Sequence, residues 1–184
     1  MESEFAQTRE KIQEIKDNFP ILLTRSLDEA KSWIRKKARG SERYGLLTSS
    51  GSSRLKSLGI HVEYNIDPCN WFLNSPMDVR SSNYLEDAGT EFDAQGLELD
   101  WSIVVWDGNL TRTQNVWKYR RFRVTRWENI NDTTRQHYLL NAYRVLLTRA
   151  RQGMAIVVPK GDSEDYTRPN HDYDPTWEYI NKLF

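Results

Sequence analysis

Two arginines, Arg149 and Arg151, interrupt an apolar stretch, V-L-L-T-R-A-R-Q-G-M-A-I-V-V-P, over residues 145–159. The residues before them have helical spacing and those after them read as a buried strand, so both cations stand at a helix-to-strand junction beside the core. A guanidinium there is costly to desolvate unless an anion meets it, and its planar fork of donors suits a carboxylate or a phosphate. The anion is either a carboxylate of this chain or a ligand, and composition alone leaves both open.

A second stretch with chemical potential is G-T-E-F-D-A-Q-G-L-E-L-D, residues 89–100. It reads as a strand ending at Thr90, a tight turn at Gly96, and carboxylates at Glu98 and Asp100. The expected place is a loop at the carboxyl end of a parallel strand, the edge where open α/β sheets bind ligands. A glycine lets backbone amides come close to an anion, and a glutamate two residues on can accept from a sugar hydroxyl. The plainer alternative is that Glu98 and Asp100 are solvated loop carboxylates.

The elements that must position these residues follow from periodicity and punctuation. Residues 2–18 form a charged helix, I-L-L-T a short strand, and Ser26 with Glu29 a capping box for a helix carrying Ala30, Trp33, Ile34 and Ala38, ended by Gly40. Y-G-L-L-T is a second strand, followed by a small-residue turn, S-S-G-S-S-R-L-K, and a short helix. The middle, from His61 to Leu85, has no clear pattern. W-S-I-V-V-W is a buried strand, residues 132–148 a helix, M-A-I-V-V a further strand after a turn eased by Gly153, residues 161–175 a polar loop, and T-W-E-Y-I-N-K-L-F a final helix. Continuous apolar strands alternating with helices indicate an α/β fold with a mostly parallel central sheet flanked by helices.

Between strand and helix lies V-W-K-Y-R-R-F-R-V-T-R-W, whose alternation fits an inserted basic β-hairpin with one solvated face. Its aromatic and basic side chains could grip a single strand of nucleic acid by stacking and phosphate contact, or could be ordinary solvated charges. The equal totals of 26 basic and 26 acidic residues hide a segregation. Residues 61–110 hold ten acidic side chains and one basic one, Arg80, whereas residues 111–151 hold ten basic ones against Glu128 and Asp132. The two segments can neutralise each other, so net charge excludes no class of partner. His61, His137 and His171 lack metal-ligand spacing, so no metal site is expected. No apolar run nears the ~20 residues that span a bilayer. The single cysteine, Cys69, reads as a buried or inert thiol; it excludes an internal disulfide and points to a cytoplasmic setting.

The two stretches together resemble motifs V and VI of superfamily 1 helicases, in the second RecA-like domain. T-E-F-D-A-Q-G-L-E is similar to a Thr-x-His-x-x-x-Gly-x-Glu pattern, and Y-R-V-L-L-T-R-A-R to motif VI. The longer phrases E-F-D-A-Q-G-L-E-L-D-W and N-A-Y-R-V-L-L-T-R-A-R-Q-G-M resemble the Schlafen-type helicase-like ATPases and their bacterial relatives. The resemblance runs from about residue 20 to the end and implies a P-loop NTPase second domain over residues 20–184, preceded by a linker helix at 1–19. It implies that Arg149 is the arginine finger, that Gly96 lies near the γ-phosphate, that Glu98 binds the ribose, and that Gln95 neighbours the nucleotide. Arg54 would be the arginine of motif IV. Thr90 would touch a nucleic-acid phosphate; Lys118, Arg120, Arg121 and Arg123, which the hairpin's own composition and not the resemblance singles out, could join it or be ordinary solvated charges. Phe92 stands where the pattern has histidine and reads as core; Arg151 reads as a salt-bridge residue.

The sequence has no G-x-x-x-x-G-K-[ST] loop and no apolar strand ending in an acidic pair. The expectation is therefore half of an ATP site: the chain would serve ATP and Mg²⁺ only in a longer protein, with an N-terminal RecA-like domain as partner and single-stranded nucleic acid as track. By itself it would not hydrolyse ATP. A different reading keeps the fold and drops the motor, leaving a helicase-like module that binds nucleic acid or protein.

Overall fold

Every residue of Leu99–Val105 is buried, which a strand achieves only with neighbours on both sides and layers on both faces. The computed structural model describes residues 2–62, 66–113 and 116–184. In chain order the elements are α1 (Glu2–Asn18), β1 (Ile21–Thr24), α2 (Leu27–Lys37), β2 (Tyr44–Thr48), a 3₁₀ segment (Ser53–Leu58), β3 (His61–Val62), β4 (Asp87–Gly89), β5 (Leu99–Val105), β6 (Leu110–Thr113), β7 (Val116–Arg123), β8 (Arg126–Asn129), α3 (Thr133–Leu146), β9 (Ala150–Val157) and α4 (Asn170–Leu183). Six strands form a sheet in the order β1-β9-β5-β2-β4-β3, and every pairing in it is parallel. Helices cover both faces, an arrangement consistent with a RecA-like α/β fold.

Alternate residues of the central strands serve opposite faces. Leu46, Ile103, Val105, Ala155 and Val157 pack with Ala30 and Ile34 of α2. On the other side Met154 and Ile156 meet Tyr143 of α3 and Ile180 of α4, while Leu47 and Val104 meet Leu146 and Trp71. Gly153 does not ease a turn. It lies within β9, where a Cβ would come within 2.6 Å of both the Pro20 carbonyl oxygen and the Trp101 ring, so a close approach of neighbouring elements requires glycine there.

Other local expectations are corrected in informative ways. The capping box at α2 is half formed: the Glu29 amide donates to Ser26 Oγ at 3.2 Å, but the Glu29 carboxylate accepts from the Thr24 hydroxyl. The Ser26 amide is satisfied by Thr24 Oγ1 instead, at 3.0 Å. The helix ends at Lys37, and Gly40 follows in the left-handed region at φ +56°. α4 begins at Asn170, so the last six residues of the expected polar loop, through Pro175, are helical. Tertiary contacts outweigh the proline there, because Tyr173 and Thr176 are buried.

The basic hairpin belongs to a three-stranded antiparallel sheet, β6-β7-β8. Trp106 anchors it, stacking on Tyr143 with centroids 4.2 Å apart and donating from Nε1 to the Leu110 carbonyl at 2.6 Å. α1 packs on the end of α4, where Gln13 Nε2 donates to the Phe184 carbonyl at 2.9 Å. Among the described residues no helix is long and apolar enough to cross a membrane.

Candidate functional site

In a parallel sheet all strands start at one rim, so β5 and β9 begin side by side. The Leu99 amide donates to the Arg149 carbonyl at 3.0 Å, and Leu99 is level with Ala150. Glu98 and Arg149, each one residue upstream of this pairing, therefore share the amino-terminal rim. That corrects the expected edge. Thr90 follows β4 at the carboxyl-terminal rim, and Gly89 is level with Leu47, itself level with Val104. Leu99 lies five residues before Val104, which at the ~3.3 Å rise of a parallel strand is about 17 Å. Residues 90–98 thus descend the height of the sheet and deliver Gln95, Gly96 and Glu98, all exposed, to the opposite rim. Gly96 adopts φ +84°, a left-handed turn that favours glycine.

The two arginines of the junction have different fates. Arg151 Nη2 donates to Asp100 Oδ1 at 2.8 Å, an internal ion pair as expected. Arg149 is half-buried, its Nε donates to the Val145 carbonyl at 3.2 Å, and no carboxylate among the described residues pairs with it. A β-bulge separates them: Leu99 is level with Ala150 but Trp101 with Gly153, so Arg151 and Gln152 both stand opposite Asp100. Asp100 is not a solvated loop carboxylate. It is 9% exposed and accepts from the Arg43 amide at 2.8 Å, from Arg151, and from Gln152 Nε2 at 3.3 Å. Burial works to raise its carboxyl, but the Arg43 amide, Arg151 and Gln152 outweigh that and hold it below the usual carboxylate range. Gln152 also donates to Glu42 Oε1 at 2.9 Å, and Glu42 Oε2 accepts from Trp101 Nε1 at 2.9 Å. The sequence carried no signal for Arg43 or Glu42; Gln152 was visible only as the neighbour of Arg151.

Arg54 and Thr90 do not join this rim. Arg54 follows β2 at the carboxyl-terminal side, where its guanidinium pairs with Asp165 at 3.0 Å and lies 5.1 Å over the Phe122 ring. The Thr90 hydroxyl donates to Asp93 Oδ2 at 2.6 Å and caps its own turn, and the residue is 4% exposed. Phe92, expected in the core, is 68% exposed. Beside β1 the edge where open sheets ordinarily take ligands holds a cavity of about 560 Å³ lined by Thr24, Arg25, Ser26, Glu29, Lys160 and Trp177, whereas beyond β2 and β5 it is filled by side chains of the chain itself. Asp107 is fully buried there, accepting from the Gly108 amide at 2.7 Å, Tyr173 Oη at 2.8 Å and the Arg54 amide at 3.2 Å. Its burial raises its carboxyl above the usual range despite those donors. Tyr143 Oη donates to Asn109 Oδ1 at 2.7 Å in the same network.

The hairpin cations also divide. Arg120 is internal: it pairs with Asp172 at 2.9 Å, both side chains nearly buried, and its Nε donates to the Gly108 carbonyl at 3.0 Å. This removes it from the expected nucleic-acid contacts. Arg121 is exposed but engages Glu128 at 3.2 Å. Lys118 and Arg123 are exposed and carry no ion pair among the described residues. The hairpin has the expected solvated face, with Val116, Lys118, Arg121 and Arg123 exposed, while Trp117 and Tyr119 on its other side join the core and Trp127 Nε1 donates to the Thr167 carbonyl at 2.7 Å. Cys69 is exposed rather than buried. Among the described residues no group of three or more His, Cys, Asp or Glu could hold a metal ion.

A family model described as Schlafen group 3, DNA/RNA helicase domain, matches residues 3–160. The chain belongs to this family. The Schlafen helicase-domain match spans the junction carrying Arg149 and the turn carrying Glu98, and it starts within α1, so the family unit includes most of the helix expected to be a linker. α4 lies beyond it. No curated protein and no solved structure matches the chain.

Proposed function

We propose that the chain is the C-terminal motor half of an ATP-dependent helicase or translocase, closing over a nucleotide held by a partner domain that carries the phosphate-binding loop. The observation that carries the reading is that an Arg149 guanidinium with no carboxylate partner among the described residues shares its rim with an exposed Gly96–Glu98 turn. These residues fit one side of a triphosphate. The Arg149 guanidinium neutralises charge on the transferring phosphoryl group, Gly96 offers backbone at close approach, Glu98 accepts from the ribose hydroxyl, and Gln95 stands beside it. Arg54 has no part in this arrangement, since its guanidinium is committed to Asp165 at the opposite rim. Magnesium chemistry belongs to the partner domain in this proposal. The test joins the chain to that domain and measures ATP turnover: Arg149→Ala lowers it by about 10³-fold or more while nucleotide binding largely survives. Unchanged turnover would sink the proposal.

A second reading, nucleic-acid binding without hydrolysis, draws on one observation, the exposed Lys118 and Arg123 of the hairpin, which carry no ion pair among the described residues. Binding of single strands by the isolated chain, weakening steeply with salt, supports it. Salt-independent binding, or none, removes it.

A further inference from the structure

We propose that Asp100 is a competing carboxylate kept occupied by Arg151 and Gln152, so that Arg149 stays free for an anion outside the chain. Asp100, Arg151 and Gln152 are then positioning residues for Arg149. Two guanidiniums flank Ala150, and one buried carboxylate lies on the adjacent strand, one residue past the Leu99–Arg149 bond. A carboxylate in that environment binds whichever cation reaches it, because an unpaired buried charge is the costliest state available. The bulge decides the competition. It sets both Arg151 and Gln152 opposite Asp100, filling Oδ1, while the Arg43 amide fills Oδ2. Gln152 is itself held by Glu42, which Trp101 anchors, so the arrangement does not depend on one contact. Arg149 is drawn the other way by the Val145 carbonyl at the end of α3.

Removing Arg151 empties the position on Asp100 and lets Arg149 turn inward to fill it. Making residue 100 neutral in the same chain removes the attraction, yet leaves an acceptor for the Arg43 amide. Neutralising Asp100 relieves its uncompensated charge under either account, so the separation rests on the Arg149 guanidinium itself, which gains a carboxylate in Arg151→Ala only if the two arginines compete.

The direct test uses the 184-residue chain with ¹⁵N-labelled arginine, the Arg149 Nε–H signal being assigned by its loss in Arg149→Lys. Arg151→Ala shifts that signal and resolves the Arg149 Nη signals as a carboxylate slows guanidinium rotation; Arg151→Ala with Asp100→Asn returns both. Amide spectra establish that each variant is folded. A signal unmoved in Arg151→Ala overturns the proposal, and so does one that moves but is not returned by Asp100→Asn.

The consequence for turnover rests on the proposed function. In the joined protein Arg151→Ala lowers kcat with little change in KM, and adding Asp100→Asn restores kcat. If Arg149→Ala proves silent in that protein, the motor reading fails while the arginine spectra still decide the competition.

Discussion

The Leu99 amide and the Arg149 carbonyl, bonded at 3.0 Å, join the end of the glycine-containing turn to the residue that ends the α3 junction. Any displacement of one is transmitted to the other through main chain, not through adaptable side chains. The two stretches that the sequence marks as chemical are thus joined through main chain at the start of β5 and β9.

Gly96 tests the turn. Its φ of +84° is strained for any L side chain, yet a Cβ there meets nothing within 4 Å. Gly96→Ala should therefore act through the backbone alone and cost about 1–2 kcal/mol, read from urea unfolding. In the joined protein it should also reduce turnover, because relaxation of the turn moves Glu98. Full stability with full turnover would show that the left-handed turn is dispensable.

The fold was legible where strands are continuously apolar, because burial on both faces leaves no other pattern, and the helix cap at Ser26 was readable from the residue and its spacing to Glu29. The rim was not. G-T-E-F-D-A-Q-G-L-E-L-D gives no sign that residues 90–98 travel the height of the sheet, since that follows from the register of β4 and β5 against β2. Arg54 and Arg120 looked like free cations because their partners, Asp165 and Asp172, lie far along the chain. Arg151 was readable as a salt-bridge residue, but the bulge that sets its partner depends on the pairing of β5 with β9.

Asp100 and Asp107 predict opposite pH dependences. The Asp100 carboxyl lies below its unfolded value, so its contribution is present above the unfolded pKa and is lost as pH falls through the folded one. The Asp107 carboxyl lies above its unfolded value, so the native state takes up its proton first and this group's contribution weakens as pH rises through the window between the two values. Urea midpoints across an acid series should show a shallower acid loss for Asp100→Asn. Asp107→Asn should remove a decline on the rising side of the carboxylate range. Parallel curves for wild type and both variants would contradict the assignment.

The hairpin separates structural from surface arginine. Arg120 and Asp172 form a nearly buried pair, and removing one partner leaves the other charge uncompensated, so Arg120→Ala should cost about 3–5 kcal/mol. Lys118→Ala with Arg123→Ala removes exposed cations that carry no ion pair among the described residues and should leave the thermal midpoint within about 2 °C. If single strands bind this surface, the same double variant lowers the slope of log affinity against log salt by about 2, about one per phosphate contact. A slope unchanged in the double variant but reduced by an Arg120 variant that remains folded would reverse the division drawn from the burial of these side chains.

Gly153 offers the most local test of the sheet itself. A methyl group at this position of β9 meets the Pro20 carbonyl oxygen and the Trp101 ring, each at 2.6 Å, closer than real Cβ contacts come. Neither neighbour moves freely: Pro20 leads into β1, whose Ile21 is level with Met154, and Trp101 is bonded through Nε1 to Glu42. Gly153→Ala should therefore destabilise the fold by about 1–3 kcal/mol through overpacking, read from denaturant unfolding with the slope unchanged. Because Trp101 anchors Glu42 and Glu42 holds Gln152, the strain should also reach the donors on Asp100, visible as a shift of the Gln152 side-chain amide resonance. A Gly153→Ala chain as stable as the parent would mean that β9 and β1 tolerate more separation than their packing indicates.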